Sequence, residues 1–166
     1  MGYTDFGSKQ DFYDRLLTKD NLEKRGVILN SSSLCVGGCG SEENVQHLFF
    51  NFLMLLLIVW KESLKWLEVS TTFLEGGVDH LKMFKGLVLG EKKVNGILGV
   101  IWVANIFVIS KARNAVVFRH EGALGRVSEE AKVLSWRILR NRSKDFTFPL
   151  YQWLTYPLAR IGSVKI

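Results

Sequence analysis

Two apolar runs constrain this chain more than any other feature. Leu48 to Trp60 is broken only by Asn51, and Val94 to Ile109 only by Asn95, Asn105 and three small residues. Side chains this apolar must be buried in protein or in lipid. Each run falls short of the roughly 18 to 20 residues that a helix needs to cross the hydrocarbon core. Each also continues into polar, helix-compatible sequence, Lys61-Glu62 after the first and Lys111 to Asn114 after the second. The expectation is two buried core helices, with a membrane-associated chain as the alternative. At 166 residues the chain is the size of one ordinary domain and can bury such a core without staples.

Helical signals dominate elsewhere, and the two prolines lie near the C-terminus. Thr18 caps an expected helix over Lys19 to Arg25, with Lys24 and Arg25 in the last turn and Gly26 as the stop. Ser31 to Gly40 reads as a turn-rich loop. Ser41 then caps a further helix, with Glu42 and Glu43 in its first turn where the helix dipole favours acid. That helix or its successor runs to about Val69, burying Trp60, Leu64 and Leu67 and leaving Lys61, Glu62, Lys65 and Glu68 wet. Glu75 to Gly77 marks a break, Val78 to Val88 a short helix, and Gly90 to Lys93 a turn. The longest helix is expected over Val94 to Phe118. A last long one spans Leu124 to Arg140, its stripe formed by Leu124, Val127, Ala131, Leu134 and Ile138. Aromatic residues between Phe146 and Tyr156 fold back as a capping tail. The predicted fold is all-α: one domain over 1–166, an irregular helical packing with a small cysteine-containing, zinc-knuckle-like loop near its start. The knuckle-like segment covers 15–52 and the helical remainder 53–157.

Chemistry concentrates in one place. Cys35 and Cys39, the only cysteines, are separated by three residues, and His47 follows after seven more. Two thiolates and an imidazole in one short unit are zinc-ligand types, and zinc takes four such ligands tetrahedrally. Gly37, Gly38 and Gly40 let the backbone wrap closely. The competing reading has the cysteines as small residues in a glycine loop and His47 on a helix face. Water, His80, His120 or Asp79 are candidates for a fourth ligand. Neither a signal peptide nor a cysteine-rich disulfide scaffold is evident, and Phe6 stands where myristoylation needs Ser or Thr. An intracellular, reducing setting, nucleus or cytoplasm, follows, where a close cysteine pair more often binds metal.

Net charge is +6 and the pI about 9.4, which tolerates nucleic acid without demanding it. Arg137, Arg140, Arg142 and Lys144 cluster at the end of the last long helix. They could neutralise phosphates, or complement the negative end of the helix dipole. Lys111, Arg113 and Arg119 pose the same choice. The five tryptophans, Trp60, Trp66, Trp102, Trp136 and Trp153, sit in or beside apolar helical stretches, as core residues do. No phosphate loop, nucleophile elbow or His-Glu-x-x-His occurs, and the aspartates are scattered singly. No enzyme activity and no small-molecule substrate are expected.

Several segments resemble a known family. Arg15-Leu16-Leu17-Thr18-Lys19-Asp20-Asn21-Leu22 and Lys24-Arg25-Gly26 are similar to the opening of the reverse-transcriptase zinc-binding region of plant non-LTR (LINE-type) retroelements. The resemblance continues through Leu34-Cys35 to Cys39, Glu42-Glu43 and His47-Leu48-Phe49-Phe50-Asn51. Ile101-Trp102, Lys111-x-Arg113-Asn114 and Phe118 look like the family's later tryptophan-rich helix. It implies a non-catalytic accessory domain beside a polymerase, with Cys35, Cys39 and His47 as metal ligands and RNA or DNA as partner. The polymerase's Tyr-x-Asp-Asp type motif is absent. The chain also departs from the pattern. Phe52 stands at the family's fourth cysteine, Leu17 replaces a proline, Ser110 replaces a tryptophan, and three residues rather than two separate the first cysteines. A degenerate copy with an incomplete zinc site is the expectation. A zinc-free helical relic or protein-interaction module is the alternative.

Overall fold

The computed structural model describes residues 18–28, 33–35, 39–44, 47, 53–70, 80–88, 92–119, 126–157 and 159. Among them are six helices: α1 (Lys19–Lys24), α2 (Leu53–Trp66), α3 (His80–Lys85), α4 (Lys92–Arg119), α5 (Val127–Arg142) and α6 (Leu150–Thr155). The only extended pairing among the described residues is an isolated antiparallel bridge between Leu34 and Glu42. The predicted all-α class is what the chain adopts. The expected break at Glu75 to Gly77 lies outside the described residues.

Local chemistry sets the helix ends. The Thr18 hydroxyl accepts from the Asn21 N–H at 3.3 Å, as an N-cap does. α1 closes with Gly26 N–H on Glu23 O and Val27 N–H on Leu22 O, and Gly26 takes φ +75°. α2 ends in the same two-bond motif, Glu68 N–H on Lys65 O and Val69 N–H on Leu64 O. There the left-handed position is filled by Glu68 at φ +53°, a conformation that ordinarily favours glycine.

α4 is the central element, packing against α2, α3 and α5, while α5 also meets α2 and α6. It begins at Lys92, so the turn expected over Gly90 to Lys93 gives way to helix within its span. Its face of Ile97, Leu98, Ile101, Trp102, Ala104, Ile106, Val108 and Ile109 is buried. The apolar run that is short of a membrane span in sequence extends further in the helix. Val94–Val116 is long and apolar enough to cross one by length and composition. Half of its most apolar window is buried inside the protein. Asn105 on this helix is buried, and its Oδ1 accepts from Ser63 Oγ on α2 at 3.1 Å.

The stripe of α5 is shifted from the expected one. Val127, Ala131, Ser135 and Leu139 are buried, whereas Leu134 and Ile138 are half-buried, and Leu124 lies outside the described residues. The cause is Trp153, 0 % exposed, whose indole N–H reaches Lys132 O and Ser135 Oγ, both at 3.1 Å. A serine faces inward because a tryptophan donor needs an acceptor there. Trp153 also meets Trp66 edge-on at 5.2 Å and Phe146 at 5.3 Å. Trp66 and Trp136 donate to Leu154 O and Phe148 O. The capping tail thus folds back as expected, with α6 as an added helical turn. Trp60, Trp66, Trp102 and Trp153 are core residues, and Trp136 packs half-buried against that core.

At the other end, His80 is enclosed by Trp60, Trp102 and Phe84, its ring 4.6 Å from that of Trp60. The Trp102 indole N–H donates to His80 Nδ1 at 2.9 Å. Burial pushes His80 down from 6.5 to about 4. The folded chain therefore keeps a neutral imidazole where the unfolded chain takes up a proton. The associated stability is present above about pH 6.5 and is lost as pH falls toward about 4. We expect unfolding free energy to drop by about 2 kcal/mol between about pH 7.5 and about pH 5 through this group. His80→Gln, which keeps an acceptor but does not titrate, flattens that dependence in urea titrations. Identical pH slopes for the two proteins would rule this origin out.

Candidate metal centre

The segment around the cysteines is a short antiparallel pairing followed by an Asx-type turn. Cys35 N–H donates to Ser41 O at 2.8 Å and Glu43 N–H to Ser33 O at 3.0 Å, one rung on each side of the Leu34–Glu42 bridge. Gly40 takes φ +77°, a left-handed step that glycine makes without penalty. The helix expected from a Ser41 cap does not start there, because Ser41 to Glu43 belong to the pairing. Asn44 Oδ1 instead accepts from His47 N–H at 2.7 Å, the three-residue spacing of an Asx-type bond.

This arrangement brings Cys35, Cys39 and His47 together. One ligand atom from each lies within 4.8 Å of the other two, and Cys39 Sγ sits 3.2 Å from His47 Nε2. Cys35 and His47 are buried and Cys39 is exposed. The three residues can hold a metal ion. The donor set of two sulfurs and one imidazole nitrogen, with its atoms already converged, fits a zinc-type ion. The Ser41 backbone N–H holds the Cys39 thiol below its ordinary value. Burial acts against this, and the Cys35 thiol and Ser41 hydroxyl add to the lowering. A thiol so placed is readier to become the thiolate that a metal binds. Of the fourth-ligand candidates, His80 is corrected: it stands in the aromatic core on α3, its Nδ1 committed to Trp102. Phe52, His120 and Asp79 lie outside the described residues.

Sequence reasoning missed the residues that hold this segment in place. Glu43, expected in the first turn of a helix, has its side chain 0 % exposed, as has Arg113 of α4, and the two form an ion pair. Glu43 Oε1 also accepts from Lys19 N–H at 3.2 Å, at the start of α1 where the helix dipole favours negative charge. Lys19 Nζ donates to Leu34 O at 2.6 Å, and Asp20 N–H to Glu43 O at 3.4 Å. Glu43 therefore joins the hairpin, α1 and α4 at one point. Helical spacing held the missed signal, because Arg113 lies on the same face as Trp102, Ile106 and Ile109. A cation on an apolar stripe implies a buried partner.

The other basic group does not gather into a patch. Arg113 is inside, Lys111 pairs with Glu130 at 2.7 Å, and the side chain of Arg119 lies outside the described ones. Arg137, Arg140, Arg142 and Lys144 are all exposed, along and just beyond the last turns of α5. The Arg140 guanidinium lies 5.4 Å from the centre of the Trp136 ring.

Comparison of the chain with protein-family models, with curated proteins and with solved structures finds no match in any of the three.

Removing one member of a buried ion pair strands the other. Arg113→Met should cost about 3–5 kcal/mol in urea denaturation. The double variant Arg113→Met/Glu43→Leu should recover much of that loss, because no uncompensated charge remains. A single-variant cost below about 1 kcal/mol would mean that the pair is not the junction described.

Proposed function

We propose that the chain is a non-catalytic, zinc-binding accessory domain of the reverse-transcriptase zinc-binding type, and that it binds single-stranded nucleic acid. The observation that carries this reading is the convergence of Cys35, Cys39 and His47 to within 4.8 Å on a hairpin anchored to the helical body. Zinc is preferred because two thiolates and an imidazole suit a borderline-soft ion that needs no redox chemistry. Two thiolates also neutralise a divalent charge. The ion's role here is structural, tying the hairpin to the turn that carries His47.

For nucleic acid, the supporting feature is the exposed row of Arg137, Arg140, Arg142 and Lys144. Its cations would contact phosphates without reading sequence. Arg140 over Trp136 would offer a flat cationic edge on which a base can lean. We read α4 as the core helix of this domain rather than a membrane span, since Arg113 within it is buried against Glu43.

Two measurements test the proposal. The chain purified under reducing conditions should retain about one zinc, Cys39→Ser should lose it, and Phe52→Cys should bind it roughly tenfold or more tightly. A chain without zinc in both parent and Phe52→Cys forms would favour the zinc-free helical module instead. Fluorescence anisotropy on a single-stranded RNA oligonucleotide should show salt-dependent binding. Replacing Arg137, Arg140, Arg142 and Lys144 with Gln should reduce the log-affinity against log-salt slope by about 3, roughly 0.7 per lost phosphate contact. An unchanged slope would remove this surface from the proposal.

A further inference from the structure

We propose that Cys35 and Cys39 form a peroxide-driven disulfide that expels the metal, so that the centre is a redox-labile site. This rests on the metal reading above. Three observations carry it. The two sulfurs lie within 4.8 Å of each other as well as of the His47 ring nitrogen. Cys39 is exposed while Cys35 is buried, so an oxidant in solution meets one sulfur and not the other. The Cys35 N–H to Ser41 O bond holds the two arms of the hairpin together, and only three residues separate the cysteines in sequence.

The chemistry balances with hydrogen peroxide as the oxidant. The Cys39 thiolate attacks one peroxide oxygen, the O–O bond breaks, and hydroxide leaves, giving a sulfenic acid at Cys39. The Cys35 thiolate then attacks the Cys39 sulfur, the S–O bond breaks, and a second hydroxide leaves as the S–S bond forms. Two thiolates and one peroxide yield one disulfide and two hydroxide ions, with two electrons passing from sulfur to oxygen. Disulfide sulfurs carry no charge and are poor zinc ligands. His47 remains as the one donor of the set, too few to retain the ion. Burial of Cys35 favours this outcome over pairing with a thiol from another molecule. An external thiol reaches Cys39 only, whereas Cys35 is already beside it.

The test uses the whole chain, loaded with zinc under reducing conditions, freed of reductant without air, and given one equivalent of hydrogen peroxide. Zinc release is read with a chromogenic chelator, thiols by maleimide labelling and the product by intact mass. The expected result is zinc released in step with a mass loss of about 2 Da and the loss of both thiols, all reversed by dithiothreitol. Cys35→Ser should show no such loss and instead gain about 16 Da or form disulfide-linked dimers. A zinc-loaded parent chain that gains about 16 or 32 Da, or dimerises, without losing about 2 Da overturns the switch while leaving the metal site standing. A chain that holds no zinc at the outset is a different result, visible before any peroxide is added. It sinks the metal reading and the release together.

Discussion

The Glu43 carboxylate and the Arg113 guanidinium are both fully withdrawn from solvent, and much else in the molecule depends on their meeting. Stripping water from two ions costs on the order of several kcal/mol each, so the pair holds only where further hydrogen bonds share the charge. Lys19 N–H supplies one to Glu43 Oε1, and Asn114 Oδ1 accepts one from Arg113 Nη1. Glu43 sits four residues after Cys39 and four before His47. Fixing it against α4 therefore fixes both flanks of the candidate metal centre. The hairpin rungs at Cys35 and Glu43 and the Asn44 bond to His47 complete the positioning. The centre is thus a local loop held by a long-range tie, the two ions being 70 residues apart in sequence.

That separation also explains what a linear reading finds and what it loses. Helices α4 and α5, the Thr18 cap and Gly26 stop of α1, and the folded-back aromatic tail follow from periodicity and capping chemistry, which are local. The convergence of Cys35, Cys39 and His47 was legible for the same reason: the ligand types lie within one short unit. Glu43 in an expected first turn and Arg113 near a helix end carry local signals that say nothing of burial. Only a partner distant in sequence makes burial affordable for either. Ser41 was read as a cap because it precedes two acids. The chain instead commits those residues to the Leu34–Glu42 pairing, and Asn44 Oδ1 accepts from His47 N–H. His80 is kept from the metal centre by the aromatic cage of Trp60, Phe84 and Trp102 around it. Ser135 faces inward because Trp153 supplies a donor from a different element.

The same physics separates two ends of the domain. One end couples the hairpin to the N-terminus of α1 and to Arg113, and carries the only Cys/His cluster among the described residues that can hold a metal. The last turns of α5 carry exposed cations, with Arg140 over the Trp136 ring. Among the described residues, α4 supplies more buried apolar side chains than any other helix. The hairpin rungs and the Glu43–Arg113 tie together position the three candidate ligands.

The most direct measurement is X-ray absorption at the zinc edge of the reduced chain carrying one equivalent of zinc. The account predicts a first shell with two sulfurs near about 2.3 Å and at least one nitrogen near about 2.0–2.1 Å. Both sulfurs should vanish from that shell in Cys35→Ser/Cys39→Ser. A first shell of nitrogen and oxygen alone in the parent chain would contradict it.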